Sequence, residues 1–245
     1  MALNQMNEEF NDPFETYFPR MRGVKRALLR LSTSAILGAI RGQRNLLGGQ
    51  RRVNERILEY PYIFSRIRPG VSVLDIGCTS SRLPIQLASL GYDMHGVDLI
   101  DYPFSHPNFL FYKKDIFEWE PGRTFDSIIL LSTIEHFGLG IYGDDPRSGD
   151  MDKVAVRRIG SWLKKGGQML VTTPFGRPRI TAKHRIYDAA RLARVFPASV
   201  FRRVDERYFL RQGLHWAPSN ADALKDVDSP HNPPNGVVLL DLEKI

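Results

Sequence analysis

Three short apolar runs in this chain are each followed or closed by an aspartate. Asp75 sits in "VLDIGC", Asp98 in "GVDL" and Asp115 in "KKDIF". A fourth run, Phe125 to Leu131 ("FDSIILL"), reads as a buried strand. Helical stretches alternate with these runs: Ser81 to Leu90, closed by Gly91, and Asp150 to Lys164, closed by the basic and glycine-rich "KKGG". A fifth strand is expected over Gln168 to Thr173 and a further helix over Ile186 to Phe196. Strands alternating with helices predict an α/β fold with a doubly wound, mostly parallel sheet. Phe201 to Leu210 and Val237 to Leu242 read as an antiparallel terminal strand pair, separated by a long, polar, Pro-rich insertion.

In such sheets ligands bind beyond the carboxyl ends of the strands. The aspartates therefore fall in one place. Asp98 follows the single glycine of the first turn, Gly77, by about 20 residues, the spacing that suits a carboxylate on ribose hydroxyls. Asp115 is placed to receive an adenine amino group, with Ile116 against the ring. A lone loop aspartate more often caps a helix or a turn. Three in register over successive strands point to an adenosine-containing ligand. The first turn, "GCTSSR", lacks the second and third glycines that a pyrophosphate needs to approach bare backbone, which disfavours a nicotinamide-dependent oxidoreductase.

The segments "VLDIGC", "GVDL", "KKDIF", "FDSIILLSTIEHFG" and "LKKGGQMLVTTPFG" together resemble the class I S-adenosylmethionine-dependent methyltransferases over about residues 60–210. The closing strand pair fits the antiparallel strand of that Rossmann-like fold. "STIEHFGLGIYGD", "PFG" and "HRIY" are similar to a bacterial, poorly characterised subgroup, some relatives of which belong to surface-polysaccharide or secondary-metabolite pathways. The resemblance implies S-adenosyl-L-methionine as cofactor. Asp75 and Gly77 would lie beside its methionine part, Asp98 on the ribose, Asp115 and Ile116 around the adenine and Ser132 near the sulfonium, with Cys78, Thr79 and Leu99 as further cofactor-binding candidates. Thr79 and Ser81 stand where the family commonly has glycine, which leaves a non-catalytic binding protein as a rival reading.

Directly after the fourth strand come Glu135 and His136. A histidine, with its ordinary pKa near 6.5, is suited to act as general base, so His136 is the first candidate, Glu135 its partner, and His184 the second candidate. A histidine that merely begins a helix is the equally weighted alternative. The glycine- and acid-rich stretch Gly138 to Asp150 reads as a substrate loop. Tyr142 and Asp144 there, with Arg185 and Tyr187 from "KHRIY", are candidate acceptor-binding residues. No metal-ligand cluster stands out. The expected acceptor is a small-molecule or glycan hydroxyl, with an amine second.

The net charge of +7 is uneven. Nine Arg and Lys fall between Thr16 and Asn54 without an acid, so residues 1–56 are expected to form a basic helical extension preceding a catalytic domain over 57–245. Such a segment suits peripheral contact with an anionic membrane, while nucleic acid is disfavoured because no recognisable binding module accompanies the charge. A solvated face is the bland alternative. The single cysteine excludes a disulfide framework and suits a cytoplasmic protein. The first twenty residues are too polar and acidic for a secretory leader.

Overall fold

The computed structural model describes residues 35, 54–142, 150–181, 183–229 and 234–245. The chain divides into two units, residues 1–52 and 53–245, and the second carries the fold described here. Most of the expected basic helical extension, residues 1–56, lies outside the described residues.

The unit opens with α1 (Arg56–Arg66), which buries Glu59, Tyr62 and Ile63 at helical spacing. Then follow β1 (Ser72–Ile76), α2 (Leu83–Ser89), β2 (Asp93–Asp98), β3 (Phe109–Lys113) and β4 (Phe125–Leu131). A 3₁₀ turn (Ile134–His136), α3 (Met151–Trp162) and β5 (Leu163–Pro174) come next. The chain finishes with β6 (Arg179–Ile180), β7 (Arg185–Ile186), α4 (Ala189–Val195), β8 (Phe201–Gln212), β9 (His215–Ser219), α5 (Ala221–Leu224) and β10 (Gly236–Lys244).

Eight strands form one sheet in the order β3-β2-β1-β4-β5-β10-β8-β9. The first five are parallel; β10 is antiparallel to both β5 and β8. The expected fold class is therefore observed, including the terminal antiparallel pair. All five residues of β1 are buried, so it is covered on both faces. Val73, Leu83, Leu87 and Met94 pack on one side, and Leu74, Ile128, Ala155, Ile159 and Trp162 on the other. Chain order reverses between β1 and β4, which opens the crevice where α/β proteins bind ligands.

Local boundaries differ from expectation in three places. The helix over Asp150 to Lys164 ends at Trp162, and "KKGG" becomes an irregular start of β5, with Gly166 at φ +72°. The helix expected from Ile186 begins only at Ala189. Asp188 is extended and accepts the Arg191 N–H at 2.6 Å, an N-cap that fixes the start, while Ile186 belongs to β7. The polar insertion contains β9, paired with β8, whose short run has too few apolar residues to be recognised by pattern.

Candidate functional site

The crevice at the β1–β4 junction has an apolar half and a polar half. The apolar half is lined by Gly77, Thr79 and Ser80 after β1, Asp98 to Ile100 after β2, Lys114 to Phe117 after β3, and Ser132, Thr133 and His136 to Gly138 after β4. Strand ends deliver each group because the four parallel strands point the same way.

Gly77 has φ +74°, and a Cβ there would lie 2.6 Å from the Thr133 methyl. The turn needs glycine at this one position. Its other residues are held by side chains. Asp98 accepts the Thr79 N–H at 2.8 Å with Oδ2 and the Ile100 N–H at 3.1 Å with Oδ1. The Thr79 hydroxyl donates to the Ile100 carbonyl at 2.8 Å. Ser81 Oγ lies 2.9 Å from the Tyr60 hydroxyl and accepts the Leu83 N–H at 2.9 Å at the start of α2. The two residues in glycine's place thus brace the loop.

Asp75 lies behind the turn, 1 % exposed, with neither carboxyl oxygen hydrogen-bonded. Burial pushes its pKa up to about 8; nearby Arg56 opposes this and Asp98 adds to it. Asp115 accepts the Phe117 N–H at 2.8 Å, which turns Ile116 and Phe117 into the crevice. Phe117 stands edge-on to Phe137, ring centres 6.0 Å apart.

The polar half shares Ser80, Ser132, His136 and Tyr142 with the apolar half and adds Glu55, Arg56, Glu135 and His184. His136 Nδ1 lies 2.6 Å from the Lys183 carbonyl oxygen. A carbonyl only accepts, so Nδ1 carries the proton and Nε2 keeps its lone pair. Burial holds the His136 pKa below its ordinary value. Glu135 is 2 % exposed and accepts the Thr173 hydroxyl at 3.2 Å; Oε1 lies 3.9 Å from His136 Nε2. Burial pushes the Glu135 carboxyl up to about 8, so it is mostly protonated at neutral pH. The Tyr142 ring stands edge-on to His136 at 5.5 Å.

A family model for the methyltransferase domain matches residues 40–240. The chain belongs to that family.

Solved structures with the same fold include a Burkholderia thailandensis 1,6-didemethyltoxoflavin-N1-methyltransferase, at 15 % identity and TM-score 0.55 over 91 % of this chain and 92 % of that one. The N-methyltransferase NodS from Bradyrhizobium japonicum aligns at 15 % identity and TM-score 0.50 over 78 % and 87 % of the two chains. A methyltransferase from Methanosarcina mazei aligns at 13 % identity and TM-score 0.52 over 76 % and 98 %. No curated protein matches.

In this methyltransferase the crevice brings together Gly77, Thr79, Asp98, Leu99, Asp115, Ile116, Ser132, Glu135, His136, Tyr142 and His184 from the sequence candidates. Asp75 lies buried behind the first turn, outside the crevice lining, and three further candidates lie elsewhere. Cys78 is buried, with its sulfur packed beside Gly96, and burial raises its thiol pKa. Arg185 is 2 % exposed and donates to the Phe137 carbonyl at 2.6 Å and the Glu135 carbonyl at 3.4 Å, so it clamps the turn from behind. Tyr187 is fully buried, and its hydroxyl donates to Asp152 or the Ile134 carbonyl. Alternation along "HRIY" puts these side chains into the wall, not on the rim. His184 lines the polar half beside the Ser229 main chain, and burial lowers its pKa. Asp144 lies outside the described residues.

The sequence reading missed Phe117 and Phe137, and above all Arg56 and Glu59 of α1. The aromatics follow motif residues immediately and were legible by position. Arg56 and Glu59 looked like ordinary charges in a basic preface, because only the fold carries α1 to the ends of β4 and β5.

Proposed function

We infer that the protein is an S-adenosyl-L-methionine-dependent methyltransferase acting on a small-molecule acceptor. The observation that carries this is the charge of the crevice. Asp98 and Asp115 line it, and Lys114 is the single lysine or arginine among the described residues of its apolar half. A pyrophosphate would be repelled there; a cofactor with a sulfonium and an ammonium is complementary.

The residues fit that cofactor. Asp75, a buried carboxyl with both oxygens unbonded, is assigned to the ammonium group. Each Asp98 oxygen has a lone pair left for a ribose hydroxyl beyond its backbone bond. Leu99, Ile116, Phe117 and Phe137 form the slot for the adenine, with Asp115 at its edge. When bound, the cofactor supplies the electrophilic methyl group.

His136 Nε2, facing the polar half with its lone pair, takes the proton that the acceptor gives up. Glu135, neutral near pH 7, orients the acceptor by hydrogen bonding. Tyr142 forms the outer wall, and His184 completes the acceptor side. A hydroxyl or an amine on a small molecule or glycan suits this base. The Burkholderia and Bradyrhizobium relatives, both named N-methyltransferases, support a small acceptor with a nitrogen nucleophile as the second form. The basic segment 1–56 is assigned to peripheral contact with anionic surfaces on its charge, and the lone, buried cysteine fits a cytoplasmic setting. Among the described residues, no helix is long and apolar enough to cross a membrane.

A crystal structure with S-adenosylhomocysteine tests the assignment. Ribose oxygens on Asp98 and adenine between Ile116 and Phe117 are expected; a nucleoside seated elsewhere would reject it.

A further inference from the structure

Glu59 is fully buried in α1, yet each of its oxygens has separate work. Oε1 accepts the Ser132 hydroxyl and the Thr172 hydroxyl, each at 2.6 Å. Oε2 accepts Arg56 Nη1 at 2.8 Å. One carboxylate from the N-terminal helix therefore ties together the ends of β4 and β5 and a guanidinium that lines the polar half of the crevice.

The β4 end is strained. Among the described residues Ser132 is the one non-glycine with positive φ, +48°. A side chain in that region persists only where its surroundings hold it. Here the Ser132 N–H bonds Thr172 through both its hydroxyl (2.9 Å) and its carbonyl (3.1 Å), and Glu59 receives the Ser132 hydroxyl. Thr172 and Ser132 are thus fixed to each other and to α1. Ser132 lies at the seam between the two halves, where the methyl group must cross to the acceptor.

Arg56 is the other arm. Its side chain keeps 24 % exposure, and although burial opposes its charge, Glu59 raises its pKa above the ordinary value. Its field reaches Asp75, Glu135, His136 and Tyr142. Guanidinium presents five donors in a planar fork, and Glu59 receives one of them through Nη1, which leaves donors for a carboxylate. Asp75, assigned above to an ammonium, lies within the Arg56 field, and the two suit the opposite charges of a zwitterion.

We propose that Glu59 is a positioning residue of this site: Oε1 locks the strained β4 end, and Oε2 aims Arg56 at the carboxylate of the cofactor's amino-acid end. The proposal rests on the methyltransferase reading and adds to it a dedicated anion site on α1.

Titration calorimetry with two nucleosides tests it. S-adenosylhomocysteine carries the amino-acid end; 5′-methylthioadenosine is the same nucleoside thioether without it. In Glu59→Gln the amide oxygen can still accept both hydroxyls, while the NH₂ group meets Arg56 donor to donor. Arg56→Met removes the cation and leaves Glu59 in place. Both variants are expected to bind S-adenosylhomocysteine about tenfold more weakly, the loss of one charge-assisted contact, and 5′-methylthioadenosine within about twofold of the parent. The second ligand also certifies a folded cradle. Should Glu59→Gln fail to fold, Arg56→Met alone decides the anion arm.

The proposal is overturned if both variants bind S-adenosylhomocysteine as the parent does, the result expected if Arg56 serves an acceptor carboxylate. Equal weakening of both nucleosides overturns it too, because that marks general loosening. A parent protein that binds neither nucleoside rejects the methyltransferase reading itself, a result distinct from these two.

Discussion

The Thr79 main-chain N–H donates to Asp98 Oδ2 at 2.8 Å, so the carboxylate assigned to the ribose also shapes the loop after β1. Replacing Asp98 by Ala removes charged hydrogen bonds to ligand and loop at once. Each is worth about 1.5–3 kcal/mol. S-adenosylhomocysteine affinity should fall by about 10- to 100-fold in calorimetry. Asp98→Asn, which keeps one oxygen, should lose less.

Thr79 and Ser81 occupy places where glycine is common, and their hydroxyls bond the Ile100 carbonyl and Tyr60. Thr79→Gly should leave S-adenosylhomocysteine affinity unchanged or weaker. A gain of tenfold would mean that Thr79 crowds the ligand. Gly77→Ala is different: at φ +74°, with its Cβ 2.6 Å from Thr133, it should destabilise the fold by about 1–3 kcal/mol in urea unfolding and weaken binding.

Asp75 makes stability and binding depend on pH. Its ordinary pKa is 3.8, and the folded protein raises it to about 8. Between these values the folded state keeps a proton that the unfolded chain has lost. Its contribution therefore falls as pH rises from about 4 to 8 and is level above that. The stability of the parent relative to Asp75→Asn should decline from pH 5 to pH 8 in thermal unfolding. An ammonium bound beside Asp75 lowers its pKa, so ligand binding at pH 6.5 should release a proton. Calorimetry in buffers of different ionisation enthalpy reads this directly, and Asp75→Asn should abolish it.

His136 and Glu135 differ in role. With an acceptor in hand, His136→Ala should slow methyl transfer by about 10²- to 10⁴-fold, the usual contribution of a general base, with S-adenosylhomocysteine affinity nearly kept. Glu135→Gln should retain turnover within a few-fold, since the carboxyl is already neutral near pH 7. Equal losses in both variants would assign the proton to Glu135 instead.

The sheet and the apolar half of the crevice were legible because they rest on local signals. Apolar runs closing on Asp75, Asp98 and Asp115 specify both the strands and what stands at their ends. Side-chain direction was not legible where the chain leaves regular structure. Arg185 and Tyr187 read as rim residues, yet they are turned inward to Phe137 and Asp152. Glu59 is the clearest case. Its partners Ser132 and Thr172 lie 73 and 113 residues away, and no local pattern encodes such a meeting.

On this assignment the crevice binds a sulfonium nucleoside and not a dinucleotide. Parallel calorimetric titrations of the purified full chain with S-adenosylmethionine and with NAD test it most directly. Saturable one-to-one binding of S-adenosylmethionine, with none of NAD, is expected. NAD binding, or a folded protein that takes up no S-adenosylmethionine, would contradict it.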